Sequence, residues 1–294
     1  MRDGVPATRT GTGRVVATAA ALALLAGLVY GVGQRSRPEP GVVGRGCVVE
    51  AGGTVHLDQE QMANAATIAA VGTRLDMPER AVVVAIATAL QESKLRNLPH
   101  LGSANDHDSI GLFQQRPSQG WGSEEQLQDP RYAAERFYLA LDQVPGWERM
   151  RLTDAAQRVQ RSAFPEAYQQ WEADATVLAT ALLGRAGGAV TCSGVARARP
   201  RGAEAAAAVR EHLHRDWGEV AAVAVGLDGL GVSVEAGDHT TGWRYAHWLV
   251  AHAGLLGIAR VHFGELEWRL AAGGWERAAA LTDRAVVAEV VPEA

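Results

Sequence analysis

A single carboxylate, Glu92, stands where an apolar segment meets a polar loop. The segment Ala81-Val-Val-Val-Ala-Ile-Ala87 precedes it, and a stretch rich in Gly, Ser, Asn and Asp follows. Apolar surroundings favour the protonated form of a carboxyl group, so an acid at the end of a buried helix is suited to donate a proton. Cleavage of a glycosidic bond requires such a proton at the leaving oxygen. Glu92 is therefore a candidate general acid, although its position alone also fits an ordinary solvated residue at a helix end.

The loop supplies two further carboxylates, Asp106 and Asp108. In the run Gly102-Ser-Ala-Asn-Asp-His-Asp-Ser109, such side chains usually hydrogen-bond the backbone and form turns. Asp108 is the better candidate for a second catalytic carboxylate, because it directly precedes the run Ser109-Ile-Gly-Leu-Phe-Gln114. The residues alone leave both a lone acid and an acid–base pair open.

Three short runs resemble the motifs of the lytic transglycosylases, relatives of goose-type lysozyme in the lysozyme superfamily. Glu92-Ser93 is similar to the first motif, and Ser109-Ile-Gly-Leu-Phe-Gln114 is similar to the second, in the same order and at a similar distance. Ala167-Tyr168 is similar to the third, whose tyrosine lies beside the acid. The chain departs from the usual pattern at Phe113, where Met is usual, and at Gln169, where Asn usually follows.

The resemblance extends from about Leu57 to about Leu183 and implies a mainly α, lysozyme-like domain without a cofactor. The implied activity is cleavage of the MurNAc-GlcNAc β-1,4 bond of peptidoglycan by a single glutamate acid. The substrate's own 6-hydroxyl then attacks and gives a 1,6-anhydro product. The residues implied or expected to contact the saccharide are Ser93, Ser109, Gly111, Leu112, Gln114, Trp121 and Tyr168.

Two alternatives to a lytic transglycosylase stay open. With Asp108 as a catalytic base, the protein would be a hydrolytic, lysozyme-like muramidase. Without functional partners for Glu92, it would be a cell-wall-binding or scaffold protein on the same fold. Trp121 has two interpretations as well, since a loop tryptophan stacks on a sugar ring or covers the core.

Capping signals predict the helices that position these residues. Asp58-Gln-Glu-Gln61 reads as a capping box before an Ala-rich helix that ends near Leu75, and Asp76-Met-Pro-Glu79 reads as a second box. The helix after Glu79 is apolar nearly all round, which predicts the buried central helix of its domain. A further helix is predicted to start at Asp129.

Cys47 and Cys192 are the two cysteines of the chain, and they bracket the candidate catalytic region. In an oxidising compartment they would form a disulfide across the ends of that region. Two unpaired thiols are the alternative. The histidines predict no metal site, because His212 and His214 do not share a helix face and no other histidine lies in a matching ligand cluster.

The N-terminal residues predict a membrane anchor. An uncharged run at about 15–33 follows three arginines and reaches membrane-spanning length. The sequence therefore predicts a cytoplasmic tail and signal anchor at 1–34, a linker at 35–46, and a single-pass protein whose remaining domains lie outside the cytoplasm. A cleaved signal and a secreted protein form the alternative.

The predicted extracytoplasmic part has two domains, a lytic domain at 47–195 and an accessory α/β (α+β) domain at 203–294, joined by an Arg/Pro linker at 196–202. The accessory part is predicted to contain a helix at about 203–215, strands at 220–225 and 231–235, and a hairpin around Gly264. It resembles a C-terminal domain of actinobacterial wall hydrolases. The net charge of -5 and the pI near 6.0 argue against a nucleic-acid partner. Peptidoglycan strands and the membrane are the predicted partners.

Overall fold

The structure, a computed structural model, describes residues 46–100, 107–194, 200–226, 229–281 and 283–293. No helix within these ranges has the length and apolar character needed to cross a membrane. The predicted anchor at 15–33 lies outside the described residues, as does the predicted linker at 35–46 except for its last residue.

A small antiparallel sheet brings together the two ends of the predicted lytic domain. Its strands are β1 (Gly46–Glu50), β2 (Thr54–Leu57) and β3 (Val190–Ser193), in the order β2-β1-β3. Cys47 of β1 lies opposite Cys192 of β3, and the two form the predicted disulfide. This bond closes a loop of the chain between residues 145 positions apart.

Six α-helices lie between these strands along the described part of the chain. They are α1 (Gln59–Arg74), α2 (Glu79–Ser93), α3 (Glu124–Leu127), α4 (Pro130–Asp142), α5 (Leu152–Gln160) and α6 (Glu172–Leu182). Short 3-10 turns occupy Pro117–Gln119, Trp147–Arg149 and Gln169–Trp171. Every residue of α2 from Ala81 to Leu90 is buried, and α2 packs mainly against α6. The prediction of a buried central helix is confirmed.

The two capping predictions have opposite outcomes. Asp58 accepts a hydrogen bond from the backbone N–H of Gln61, and the Gln61 side chain accepts one from the backbone N–H of Asp58, so the first capping box is confirmed. The second is wrong. Because α2 begins at Glu79, the cap position falls on Pro78, whose side chain has no acceptor atom, and Asp76 lies too far upstream.

The C-terminal part forms a second antiparallel sheet of six strands in the order β4-β5-β9-β6-β7-β8. Its strands are β4 (Ala222–Val225), β5 (Gly231–Glu235), β6 (Ile258–Phe263), β7 (Leu266–Arg269), β8 (Trp275–Arg277) and β9 (Ala285–Val290). Three helices accompany it, α7 (Gly202–Trp217), α8 (His239–Ala251) and α9 (Ala253–Leu256). The predicted helix near 203–215, the strands near 220–225 and 231–235, and the hairpin at Gly264 are all present.

The predicted fold class, a mainly α lysozyme-like domain with a separate small α/β domain, is wrong. The fold is mixed α/β with two antiparallel sheets, and the described residues belong to one compact unit. One continuous cluster of buried apolar side chains runs from Cys47 of β1 to Val290 of β9. Residues 196–199 of the predicted linker at 196–202 lie outside the described residues.

Buried polar contacts explain why the two halves pack as one unit. Asp216 of α7 is fully buried and accepts hydrogen bonds from Thr67 Oγ1 of α1 (2.9 Å) and Trp248 Nε1 of α8 (2.8 Å). Its other oxygen forms an ion pair with Arg131 of α4. Since a buried charge is costly without partners, these contacts hold α7 against the N-terminal helices.

His247 makes a second buried link between the halves. It lies on α8, its Nδ1–H donates to the carbonyl oxygen of Ala181 (2.8 Å), and its Nε2 accepts from the backbone N–H of Ala189 (3.1 Å). Burial lowers the pKa of His247 to about 4, so the ring is neutral at physiological pH. A neutral ring with one donor and one acceptor satisfies both contacts.

Candidate active site

The candidate acid lies at the end of the buried helix α2. The helix ends there because Lys94 and Leu95 adopt left-handed backbone conformations with φ of 56° and 60°. Glu92 is half-buried. Its Oε1 accepts hydrogen bonds from Tyr168 Oη at 2.6 Å and from Gln160 Nε2 at 3.1 Å. No described residue donates a hydrogen bond to Oε2, the other carboxyl oxygen.

Tyr168 comes from the short segment between α5 and α6 and is fully buried. Burial raises the pKa of its phenol well above the ordinary value, and the nearby charge of Glu92 raises it further. The phenol therefore stays protonated at physiological pH and donates to Glu92. The contact joins the first and third of the motif positions identified in the sequence.

The Gly-Leu-Phe-Gln run forms a tight turn beside α2. Ile110 and Gln115 pair through two backbone hydrogen bonds, 2.9 and 3.0 Å long, at the base of the turn. Gly111 has a φ of 74°, and a Cβ added there would lie 2.4 Å from the carbonyl oxygen of Leu127. Glycine is required at this position by both its conformation and its surroundings.

Three of the predicted saccharide-binding residues hold this turn in place. Ser93 and Leu112 are buried, and Ser93 Oγ lies 2.8 Å from the carbonyl oxygen of Leu112. The side-chain amide of Gln114 donates to the carbonyl oxygen of Gly111 within the turn. These contacts fix the turn against the end of α2, next to Glu92.

Gln160 is a site residue that the sequence analysis missed. Its Nε2 lies within hydrogen-bonding distance of both Glu92 Oε1 (3.1 Å) and the carbonyl oxygen of Phe113 (2.7 Å). Gln160 thereby connects the acid to the second motif. Within that motif, the Phe113 ring stacks on the Phe137 ring, and the ring centroids are 4.8 Å apart. Gln160 is the last residue of α5, and no local pattern distinguishes it from other polar residues at a helix end.

Asp108 is bound to its own loop. Its two carboxyl oxygens accept hydrogen bonds from the backbone N–H and the hydroxyl of Ser118, at 2.7 and 2.8 Å. These bonds lower the pKa of Asp108 below its ordinary value. The neighbouring Ser109 hydroxyl accepts from Arg116 Nε at 3.3 Å. Asp108 and Ser109 therefore hold the chain on either side of the turn.

A cavity of about 520 Å³ opens beside Gln160, and Trp121 lines it. Trp121 is partly buried against the core, and its carbonyl oxygen accepts from Tyr132 Oη at 3.2 Å. Trp121 therefore packs partly against the core and also lines the cavity, and its stacking on a sugar ring stays a prediction.

Lys94, the single lysine of the chain, places a positive charge near Glu92. Its Nζ donates to the carbonyl oxygen of Leu90 (3.1 Å) and lies 4.3 Å from the ring centroid of Trp171. Partial burial lowers the pKa of Lys94, while the charge of Glu92 raises it. Among the described residues, no group of three or more His, Cys, Asp or Glu side chains is arranged to hold a metal ion.

Comparison of the whole chain with protein-family models and with curated proteins finds no match. The resemblance to the lytic transglycosylases stays a prediction from the three motifs.

Proposed function

We propose that this protein is a peptidoglycan-cleaving glycosidase that resembles the lytic transglycosylases and cuts the MurNAc-GlcNAc β-1,4 bond. In this proposal, Glu92 is the single general acid. The observation that supports it most directly is the 2.6 Å hydrogen bond from Tyr168 to Glu92, since it joins two motif positions that lie 76 residues apart.

The hydrogen bonds on Glu92 leave one oxygen available to act. Tyr168 and Gln160 both donate to Oε1, so in the acid form of Glu92 the proton lies on Oε2. In the first step, Oε2 donates this proton to the glycosidic oxygen as the C1–O bond breaks, and the sugar ring acquires oxocarbenium character. The two donors on Oε1 then stabilise the carboxylate that forms.

The second step returns the proton. The 6-hydroxyl of the same sugar attacks C1, and the Glu92 carboxylate accepts the hydroxyl proton as the new C1–O6 bond forms. The products are a 1,6-anhydro sugar and a chain with a free 4-hydroxyl, and no water is consumed. The two Ser118 bonds to Asp108 support this route, because they occupy the carboxylate that a hydrolytic route would require as its base.

The proposed location is the cell envelope outside the cytoplasm, attached through the predicted anchor at 15–33. The Cys47–Cys192 disulfide supports export, because disulfides persist mainly in oxidising compartments. The proposed partner is the peptidoglycan glycan strand.

The test compares wild type, Glu92→Gln and Asp108→Asn on purified peptidoglycan, with the released muropeptides identified by mass spectrometry. Glu92→Gln keeps the shape of the side chain but cannot donate a proton, so we expect a loss of roughly 10²–10⁴-fold in rate. Asp108→Asn is expected to retain activity and to give anhydro-ended products.

Three results would count against the proposal. If the wild-type protein releases no fragments from peptidoglycan, the proposed glycosidase activity is wrong. Comparable rates for wild type and Glu92→Gln would remove the role of Glu92. Reducing-end products, together with a collapse in the rate of Asp108→Asn, would make the protein a hydrolytic muramidase.

A further inference from the structure

Two arginines line the cavity beside the candidate acid. Arg158 lies in the last turn of α5, and Arg161 directly follows the helix. They share the cavity with Trp121, three glutamines and three small apolar residues. No carboxylate is among these described residues.

Neither guanidinium has a partner within the described residues. No hydrogen bond or ion pair connects the side chain of Arg158 or Arg161 to any of them. Arg151, at the other end of the same helix, behaves differently and pairs with Glu166 at 2.6 Å and Asp154 at 3.8 Å. One end of α5 is thus neutralised by acids, while the end at the cavity presents two positive charges.

The helix itself provides a structural reason for cations at this position. The carbonyl end of a helix has a partial charge of roughly −0.5, and basic residues in the last turn offset it. Arg158 and Arg161 together contribute two full positive charges, which is more than this partial charge offsets. That surplus favours an anionic ligand, and guanidinium groups match carboxylates particularly well.

The cavity is also connected to the acid. Gln160 lines it and contacts Glu92 Oε1, so a ligand in the cavity lies next to the proposed site of cleavage. A volume of about 520 Å³ lies within the usual range of about 300–1,000 Å³ for ligand pockets. The backbone sugars of peptidoglycan are neutral, whereas the peptide attached to the lactyl group of MurNAc has several carboxylates.

We propose that this cavity is a subsite for the acidic stem peptide of peptidoglycan, with Arg158 and Arg161 binding its carboxylates. The proposal rests on the proposed function, because it assigns the substituent that accompanies the cleaved sugar. Trp121 and the small apolar residues then contact the uncharged parts of the peptide. The protein consequently prefers peptide-bearing strands to strands whose peptides have been removed.

The experiment measures kcat/KM of the full chain on two substrates, peptide-bearing glycan strands and the same strands after amidase treatment. Amidase cleavage leaves a lactyl carboxylate on each MurNAc, so these carboxylates are capped as methylamides before the assay. The wild type is expected to prefer the peptide-bearing strands by about tenfold or more, since hydrogen bonds to charged groups are among the stronger ones in proteins. In Arg158→Gln/Arg161→Gln, the ratio of the two rates is expected to fall close to one. Arg149→Gln removes a nearby exposed charge that does not line the cavity, and it should keep the wild-type ratio.

A binding measurement keeps the test informative if the double variant does not fold. Full-length Glu92→Gln protein is titrated with free stem peptide and with the same peptide after its carboxylates have been amidated. We expect the acidic peptide to bind at least about tenfold more tightly, and more weakly as salt is raised.

The outcomes separate the two proposals. Wild type that cleaves neither substrate overturns the proposed function, and the subsite with it. Wild type that cleaves both substrates equally well overturns the subsite alone. The same holds when the arginine variant loses rate on both substrates in proportion, or when the two peptides bind alike, because the arginines then do not recognise peptide carboxylates.

Discussion

The Cys47–Cys192 disulfide should account for a large part of the stability of this protein under oxidising conditions. Both cysteines are 2% exposed, and they face each other across β1 and β3. Their separation of 145 residues makes the closed loop very long. In the chain-entropy description, such a cross-link removes enough freedom from the unfolded chain to contribute about 5 kcal/mol.

The perturbation is Cys47→Ala, with Cys192→Ala and the double variant as matched controls. Without reductant, each variant should unfold in urea with a free energy about 5 kcal/mol below that of the wild type. For a chain of this size, the melting temperature should fall by about 10–20 °C. All three variants should agree, because the loss of either cysteine removes the same bond.

Reductant provides the internal control. Reductant should lower the melting temperature of the wild type to that of the variants, and it should leave the melting temperatures of the variants unchanged. The reasoning is refuted if oxidised wild type and the double variant melt together. It is also refuted if reductant destabilises the double variant as much as the wild type.

Three further predictions concern the acid, the turn and the buried histidines. Tyr168→Phe removes the hydrogen bond to Glu92 with little change in shape, so kcat on peptidoglycan should fall by roughly 10–100-fold while the melting temperature stays nearly constant. An unchanged kcat would contradict the role of Tyr168. Gly111→Ala should lower the unfolding free energy by at least about 2 kcal/mol, because it adds a strained φ and a close contact. Gly120→Ala is the control, because Gly120 also has a positive φ, of 78°, but a Cβ added there would have no atom within 4 Å. If urea titrations show equal losses of unfolding free energy for both variants, the close contact at Gly111 does not explain the loss. The pKa of His247 and that of His252 are both lowered to about 4, mainly by burial, so the unfolded state takes up protons first as the pH falls. The unfolding free energy should therefore be fully retained above about pH 6.5 and decline towards pH 4. If urea titrations give the same unfolding free energy at every pH in this window, the prediction is wrong.

The C-terminal part is joined to the N-terminal half by polar contacts as well as by the shared apolar core. Its helices α7 and α8 do not form a separate module, because Asp216 and His247 place polar contacts within the N-terminal half. Trp275 of β8 likewise donates through Nε1 to the carbonyl oxygen of Val190 in β3, at 2.8 Å. The second sheet therefore supports the end of the small sheet that contains the disulfide.

Local chemistry made a substantial part of this protein predictable from its sequence. The Asp58 capping box depends on residues three apart, and the apolar composition of α2 alone indicates a buried helix. The same reasoning located the strands near Val225 and Val234 and the hairpin at Gly264. Each of these features arises from neighbours in the chain, so the pattern of residues is sufficient to identify it.

Apart from the Cys47–Cys192 bond and the contact of Tyr168 with Glu92, contacts between distant residues were decided only by the tertiary structure. Strands β1 and β2 form a local hairpin, and β3 joins it only when residues about 145 positions apart are brought together. Gln160 became part of the site because α5 ends beside Glu92 and Phe113. The two predicted domains form one unit for the same reason, namely contacts between residues far apart in the chain. The buried carboxylate of Asp216, for example, binds residues of α1, α4 and α8, and no local sequence pattern connects these helices.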